Sequence, residues 1–396
     1  MIYFLLTQTK DILQSTSLNL VLTNTKQEPK YNKLLQDYVN STKTEIDNHT
    51  EQWDVIKKYT NPYEFIHTIV PGYKTSVSKK QPLSRAYFKM IEICNVFKLC
   101  ETKYFFLNTF HLAEGPGGFI EAVVDIRQSN VDMYIGMTLE DNDTQTPGWK
   151  KSQEFIKKHH PCIFIEKGED LTGNLYNPCN FKYVYDKYKS TQNLVTADGG
   201  FDFSSDFNNQ EQTIMRLLYT EVCYALMLQK EEGHFVLKMF DLFLKSSVDI
   251  LYILSLCYEE VYIMKPSTSR SANSEKYVVC KYLKNINKEE LFHVFYDHLQ
   301  ELNKPENKNM YISDLLNISI NQLYINDIKE INSILGQNQL ESINSTLILI
   351  EQAKKKEKLD NLVKQNILNS ISWCEENKVP FYKDLIETNI FLQNKE

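Results

Sequence analysis

Four residues carry charge where their surroundings do not favour it: Lys89, Asp198, Lys238 and Glu275. Lys238 is the sharpest case. It sits inside His234-Phe235-Val236-Leu237-Lys238-Met239-Phe240, an apolar run of strand character. A charge in such a run is costly unless it is paired or put to use. Taken singly, each residue also has an ordinary reading. Lys238 can snorkel from a strand end, Asp198 can cap a turn, Lys89 can sit solvated on a helix, and Glu275 can be a surface residue. Taken together, at one edge of a predicted sheet, they suit different work. Two ammoniums and two carboxylates brought together shift each other's proton affinities, as groups that handle protons must.

The elements that would position them read as alternating strand and helix. The apolar run Tyr104–Ala113 breaks at Glu114-Gly115-Pro116-Gly117-Gly118 and resumes as Phe119-Ile120-Glu121-Ala122. That order predicts a buried strand, a glycine-rich turn and a helix start whose free N–H groups can face an anionic ligand part. It is not the G-x-G-x-x-G dinucleotide fingerprint. Further strands are predicted at Val131–Leu139, ending at Glu140-Asp141, and at Cys162–Glu166, ahead of Asp170. Others are Asn193–Ala197, ending in Asp198, the run containing Lys238, and a final antiparallel pair, Glu260–Lys265 and Lys276–Leu283. The ten residues between that last pair are too few for a crossover helix. The expected fold is therefore α/β: a doubly wound, seven-stranded, mostly parallel sheet with an antiparallel last strand. Ligands of such sheets bind beyond the strand carboxyl ends, where Glu114, Glu140, Asp170 and Asp198 all fall. The expected division is a helical N-terminal extension (1–80), a catalytic domain (81–285) and a helical C-terminal region (286–396).

The chain has 396 residues and a net charge of −7. Nucleic acid would therefore be held by a local patch and not by overall charge. Only four arginines occur, at 85, 127, 216 and 270, and the basic residues are otherwise lysines. Arg85 lies beside Lys89 and Arg270 beside Glu275, where a planar bidentate donor suits phosphate. The eight cysteines form no C-x-x-C pair and have no histidine partner at zinc spacing, so no metal is expected. No run reaches the roughly 18 apolar residues of a membrane span, and residues 1–6 lack the features of a signal peptide. An intracellular protein is expected, cytoplasmic (including a viral factory or virion) ahead of nuclear.

Four segments resemble those of the FtsJ-like RNA 2′-O-methyltransferases, and most of all the mRNA cap ribose methyltransferases. They are Ser84–Lys89 (SRAYFK), Glu114–Phe119 (EGPGGF), Val195–Gly200 (VTADGG) and Gly233–Asp241 (GHFVLKMFD). A fifth, Lys265–Cys280 (KPSTSRSANSEKYVVC), resembles the cap-enzyme version in particular. The similarity runs over about residues 60–285. Asn61-Pro62-Tyr63-Glu64 and Trp373-Cys374 are similar to large-DNA-virus members. Glu114 stands where the family commonly has a small residue, and His111 where Asp is often found.

The resemblance implies a Rossmann-like methyltransferase fold and S-adenosylmethionine as cofactor. It places a Lys-Asp-Lys-Glu catalytic tetrad on Lys89, Asp198, Lys238 and Glu275. It also implies cofactor contacts from Glu114, Gly115, Gly117, Gly118, Phe119, Leu139, Asp170 and Asp198. The expected reaction is methyl transfer to a cap-proximal ribose 2′-hydroxyl of mRNA, with Lys238 either the base or the group that orients the hydroxyl. Ser84, Arg85, Arg270 and Asn273 are the expected RNA contacts, extended by Lys74, Lys79 and Lys80. Expected partners are the capped 5′ end of mRNA and other capping or transcription proteins, with no membrane. The other readings are a ribosomal or transfer RNA ribose methyltransferase, or a non-catalytic RNA-binding capping subunit.

Overall fold

The computed structural model describes residues 1–101, 105–140, 148–201, 207–352, 356–383 and 385. Tyr104 and Asp141, which bound two of the expected strands, lie outside them. The elements run β1 (Ile2–Leu5), β2 (Leu18–Thr23), α1 (Lys33–Glu45), α2 (Thr50–Thr60), α3 (Ala86–Phe97), β3 (Asn108–Leu112) and α4 (Gly118–Arg127). Next come β4 (Met133–Met137), α5 (Gln153–Lys158), β5 (Ile163–Ile165), α6 (Pro178–Tyr188), β6 (Gln192–Ala197), α7 (Gln210–Leu228), β7 (Gln229–Met239) and α8 (Lys245–Cys257). The chain continues with β8 (Tyr258–Lys265), β9 (Lys276–Leu283), α9 (Lys288–Leu302), β10 (Tyr311–Leu316), α10 (Gln322–Glu351) and α11 (Lys356–Glu376).

All six residues of β6 are buried, the mark of a strand covered on both faces. α6 starts where Asn177 accepts a hydrogen bond from the Cys179 N–H, with Pro178 at the first helical position. The strands form one mostly parallel sheet in the order β1-β8-β9-β7-β6-β3-β4-β5. β3 pairs in parallel with β4 on one side and with β6 on the other, so the winding reverses between β3 and β6. Glu114 follows β3 and Asp198 follows β6, which puts both at that switch point.

β9 runs antiparallel to both β7 and β8, as expected of the last strand. The N-terminus departs from expectation. β1 adds to the sheet as an eighth, antiparallel strand with Ile2 opposite Lys265, and β2 pairs with β10 in a separate two-stranded sheet. Residues 1–80 are thus not purely helical, and the C-terminal region contributes a strand. A four-residue apolar run carries too little periodicity to separate strand from helix, and only its partner β8 decides.

Two cores cover the two faces of the main sheet. Phe110, Leu112, Val195, Ala197, Phe235 and Leu237 pack with α6 to α10. Leu194, Val236, Tyr277 and Val279 pack with α3, α4 and α11. Strand alternation then assigns Lys238, two residues after Val236, to the α3 face, and Glu275, just ahead of β9, meets Lys89 of α3. Among the described residues no helix is long and apolar enough to cross a membrane.

Candidate active site

α3 is apolar all round and lies in the core, with Lys89 5% exposed, so the surface-helix reading of that lysine is overturned. Its Nζ reaches Glu275 Oε1 at 2.6 Å. Across the cluster, Lys238 Nζ lies 3.2 Å from Asp198 Oδ1 and donates to the Asp198 carbonyl at 2.6 Å. Tyr277 joins the two pairs: its hydroxyl donates to Asp198 Oδ1 at 2.9 Å and accepts from Lys89 Nζ at 3.4 Å. The structure therefore brings all four residues together and adds a fifth. Sequence reasoning missed Tyr277, although its place two residues after Glu275, in the strand that follows, was the available signal.

The electrostatics of the two lysines differ. Burial lowers the proton affinity of Lys89 more than Glu275 and Asp198 raise it, and Arg85 and Lys238 lower it further. For Lys238 burial also works against the charge, but the Asp198 and Glu275 carboxylates outweigh it and hold the ammonium above its ordinary value. Burial opposes the charge of Glu275, yet Lys89, Lys238 and Lys265 together hold its carboxyl well below the usual range.

The other half of the site is the glycine loop. Gly117 opens α4 at φ +100°, a conformation that favours glycine. A Cβ on Gly118 would lie 2.2 Å from Ser84 Oγ, so the loop seats directly on the segment leading into α3. That contact, and not an RNA contact, is what the structure shows for Ser84. Glu114 is buried, and its Oε1 accepts weakly from Thr196 Oγ1 at 3.4 Å. Its Oε2 lies 3.1 Å from His111 Nδ1, a nitrogen already paired with Thr196 Oγ1 at 2.7 Å, and makes no hydrogen bond. Burial, and then Asp198, push the Glu114 carboxyl well above its ordinary range. Phe119 is fully buried with its ring centre 5.8 Å from that of Tyr277; its side chain props the cluster from below and offers no face to a ligand. Beyond β4, Leu139 is an exposed apolar residue. Asp170 spends its carboxylate on its own loop, accepting from Thr172 N and Oγ1 and from the side-chain amides of Asn177 and Asn180. Burial opposes that charge, but these bonds together outweigh it and hold the carboxyl at about 2.

The expected basic contacts divide. Arg270 is bidentate on Glu64, at 3.0 and 2.6 Å, and Glu64 is fully buried. Asn273 gives both its oxygens to Lys265 Nζ, at 2.7 and 2.6 Å. Lys80 is paired with Glu121 and Asp125, and Lys79 lies over the Tyr382 ring. Lys74 is exposed. Arg85 is different: among the described residues its guanidinium has no hydrogen bond or ion pair, and burial, then Arg270, lower its proton affinity against the pull of Glu275, Glu64 and Tyr277.

A doubly wound sheet with a glycine loop at its switch point and a charged cluster on the neighbouring strand ends defines an α/β enzyme that holds a nucleoside-bearing cofactor beside its reactive groups. The FtsJ-like methyltransferase family matches residues 82–283, and the chain belongs to that family. A cap-specific mRNA (nucleoside-2′-O-)-methyltransferase 2 of Drosophila melanogaster is 30% identical over 264 residues, 62% of this chain and 36% of the relative. The protein of the same description in Danio rerio is 35% identical, over 53% of this chain and 30% of the relative. A cap-specific mRNA (nucleoside-2′-O-)-methyltransferase 1 of Mus musculus is 38% identical over 177 residues, 43% of this chain and 20% of the relative. The chain thus spans about a third or less of the length of these curated relatives.

The family's cofactor is S-adenosylmethionine, and the residues present fit it. The buried Glu114 Oε2 beside the glycine loop makes no hydrogen bond and could accept one from the methionyl ammonium, whose charge would favour the carboxylate that burial otherwise disfavours. The exposed apolar Leu139 at the next strand end suits the adenine.

Proposed function

We propose that this protein transfers a methyl group from S-adenosylmethionine to the ribose 2′-hydroxyl of a cap-proximal nucleotide of mRNA. The observation that carries the reading is the cluster of Lys89, Asp198, Lys238 and Glu275 around Tyr277, next to the glycine loop. The cap-specific names of the relatives support the substrate. Residues 81–285 serve as the catalytic domain, with 1–80 and 286–396 as extensions that complete its cores. Other capping or transcription proteins are its expected partners.

When bound, S-adenosylmethionine supplies the methyl group on a sulfonium. The protein's own residues place the acceptor. Lys238, held as an ammonium by Asp198 and Glu275, donates to the ribose oxygen, fixes it in line and stabilises the charge that grows on it. The O–H proton passes to solvent water as the oxygen bonds to the methyl carbon, and the electron pair of the broken C–S bond stays on sulfur. Lys238 is therefore the orienter and not the base. Asp198 and Tyr277 fix the direction of the Lys238 ammonium. Arg85 pairs with a phosphate of the substrate.

The test is label transfer from S-adenosylmethionine to short RNAs that differ only in a 7-methylguanosine cap or a 5′-triphosphate. Transfer to the capped RNA alone is expected. Equal transfer to both would replace the cap reading with a general RNA methyltransferase, and RNA binding without transfer would indicate a binding subunit. Arg85→Ala should raise the RNA KM and reduce the slope of log K against log salt by about one phosphate contact. Its melting temperature should match wild type, since Arg85 makes no hydrogen bond among the described residues; an unchanged salt slope would rule out the phosphate contact.

A further inference from the structure

Glu275 stands outside the sheet that presents it. The β8–β9 ladder ends at Met264 opposite Tyr277, and the β7–β9 ladder ends at Met239 opposite Lys276. No ladder bond therefore fixes the backbone of residue 275, although its carboxylate must meet Lys89 at 2.6 Å. Lys265, the last residue of β8, fills that gap. Its Nζ donates to the Glu275 carbonyl at 2.6 Å, to the Asn273 carbonyl at 2.7 Å and to Asn273 Oδ1 at 2.6 Å. An ammonium has three protons, so residues 273–275 take its whole donor capacity.

We propose that Lys265 is a positioning residue for the reaction: by clamping the Asn273 and Glu275 backbone it sets where the Glu275 carboxylate stands relative to Lys89 and Lys238. This rests on the methyl-transfer reading above. The clamp works with two other holds on the same hairpin. Ser269 Oγ donates to Glu275 Oε1 at 2.8 Å, and Glu92 accepts from the N–H groups of Ser267 and Thr268 at 2.8 and 3.3 Å. Lys265 pays for its place in proton affinity: burial pushes it down to about 7, with Glu275 opposing and Lys276 and Lys89 adding to the shift. The three bonds need the ammonium, since a neutral amine has two N–H donors, so the clamp is complete below about 7 and weakens above it. The clamp also accounts for Asn273, whose oxygens turn to Lys265 and not toward a substrate.

The experiment compares wild type, Lys265→Met, Lys265→Arg and Asn273→Ala. Single-turnover transfer, equilibrium binding of S-adenosylmethionine and of RNA, and melting temperature are read for each. Lys265→Met should slow transfer about 10²-fold, the scale of an ångström-sized misplacement, with both binding constants within about twofold of wild type. Lys265→Arg should recover part of the rate, and Asn273→Ala should show a smaller loss in the same direction. A folded Lys265→Met protein with the wild-type rate would overturn the proposal. So would a rate loss matched by equal losses of binding. If Lys265→Met does not fold, a wild-type rate in Asn273→Ala overturns it. Should wild type itself transfer no methyl group, the methyl-transfer reading fails and the clamp is judged by NMR of 13C-labelled lysine. Asn273→Ala keeps the Lys265 charge while loosening the hold on Glu275, the carboxylate that supports the Lys89 charge, so the Lys89 titration should move to lower pH in that variant; an unmoved titration would overturn the clamp.

Discussion

Replacing Lys238 with alanine is expected to lower kcat by about 10²–10³-fold, the cost of removing one preorganised donor from a developing oxyanion. The decisive comparison is Lys238→Arg. Arginine keeps a buried cation but cannot accept a proton at any working pH. If Lys238 orients the hydroxyl, as the raised proton affinity from Asp198 and Glu275 indicates, the arginine variant should be clearly faster than the alanine variant. Equal rates in the two variants, measured in single turnover, would return Lys238 to the role of base. Lys89 would then be the cation that lowers its proton affinity.

Arg270→Ala should produce the largest loss of stability, about 3 kcal/mol, because it leaves the buried Glu64 carboxylate without its cation, held only by the Asn61 amide and the Thr68 hydroxyl. The pH dependence identifies the cause. Burial opposes the charge of Glu64, but the hydrogen bonds and charge of Arg270 outweigh it and bring the carboxyl from 4.5 down to about 2. A carboxyl depressed in the folded state contributes stability that is present above its unfolded value and is lost as the pH falls through its folded value. The wild-type contribution should therefore fade between about pH 4.5 and about 2. In the variant the unpaired Glu64 can take up a proton, so the gap between wild type and variant should narrow as the pH falls. Urea denaturation at pH 7 and pH 4 measures it. A gap that stays constant with pH would mean that the pair contributes little. Salt dependence of RNA binding should change less than for Arg85→Ala, since Arg270 already has its anion.

Much of the site was legible because its signals are local. A lysine within an apolar strand, a Gly-Pro-Gly-Gly break between strand and helix, and an acidic residue at a strand end are each contained in a few residues. They sufficed to place Glu114, Asp198 and Lys238 at one edge of the sheet. Glu275 was found only because its whole hairpin, Lys265–Cys280, resembles the cap-enzyme version; alone it looks like any surface glutamate. Lys89 was found the same way, but its burial was not foreseen. A helix that is apolar all round shows its place in the core only once both neighbouring layers are known.

The amino-acid order by itself determined the alternation of strands and helices, the antiparallel ending and the chemical types at the strand carboxyl ends, because periodicity and turn chemistry act within one element. Tertiary structure decided which charges became partners. Arg270 meets a glutamate 206 positions away, and Lys89 meets a tyrosine 188 positions away. Both pairings depend on how layers stack, and no local pattern encodes that. The same holds for β1, whose four residues become a strand only where the β8 edge offers them hydrogen bonds. A charged side chain chooses its role by what the fold brings within about 3 Å of it. At this site that choice made Arg270 a brace for Glu64 and left Arg85 without a hydrogen bond or ion pair among the described residues.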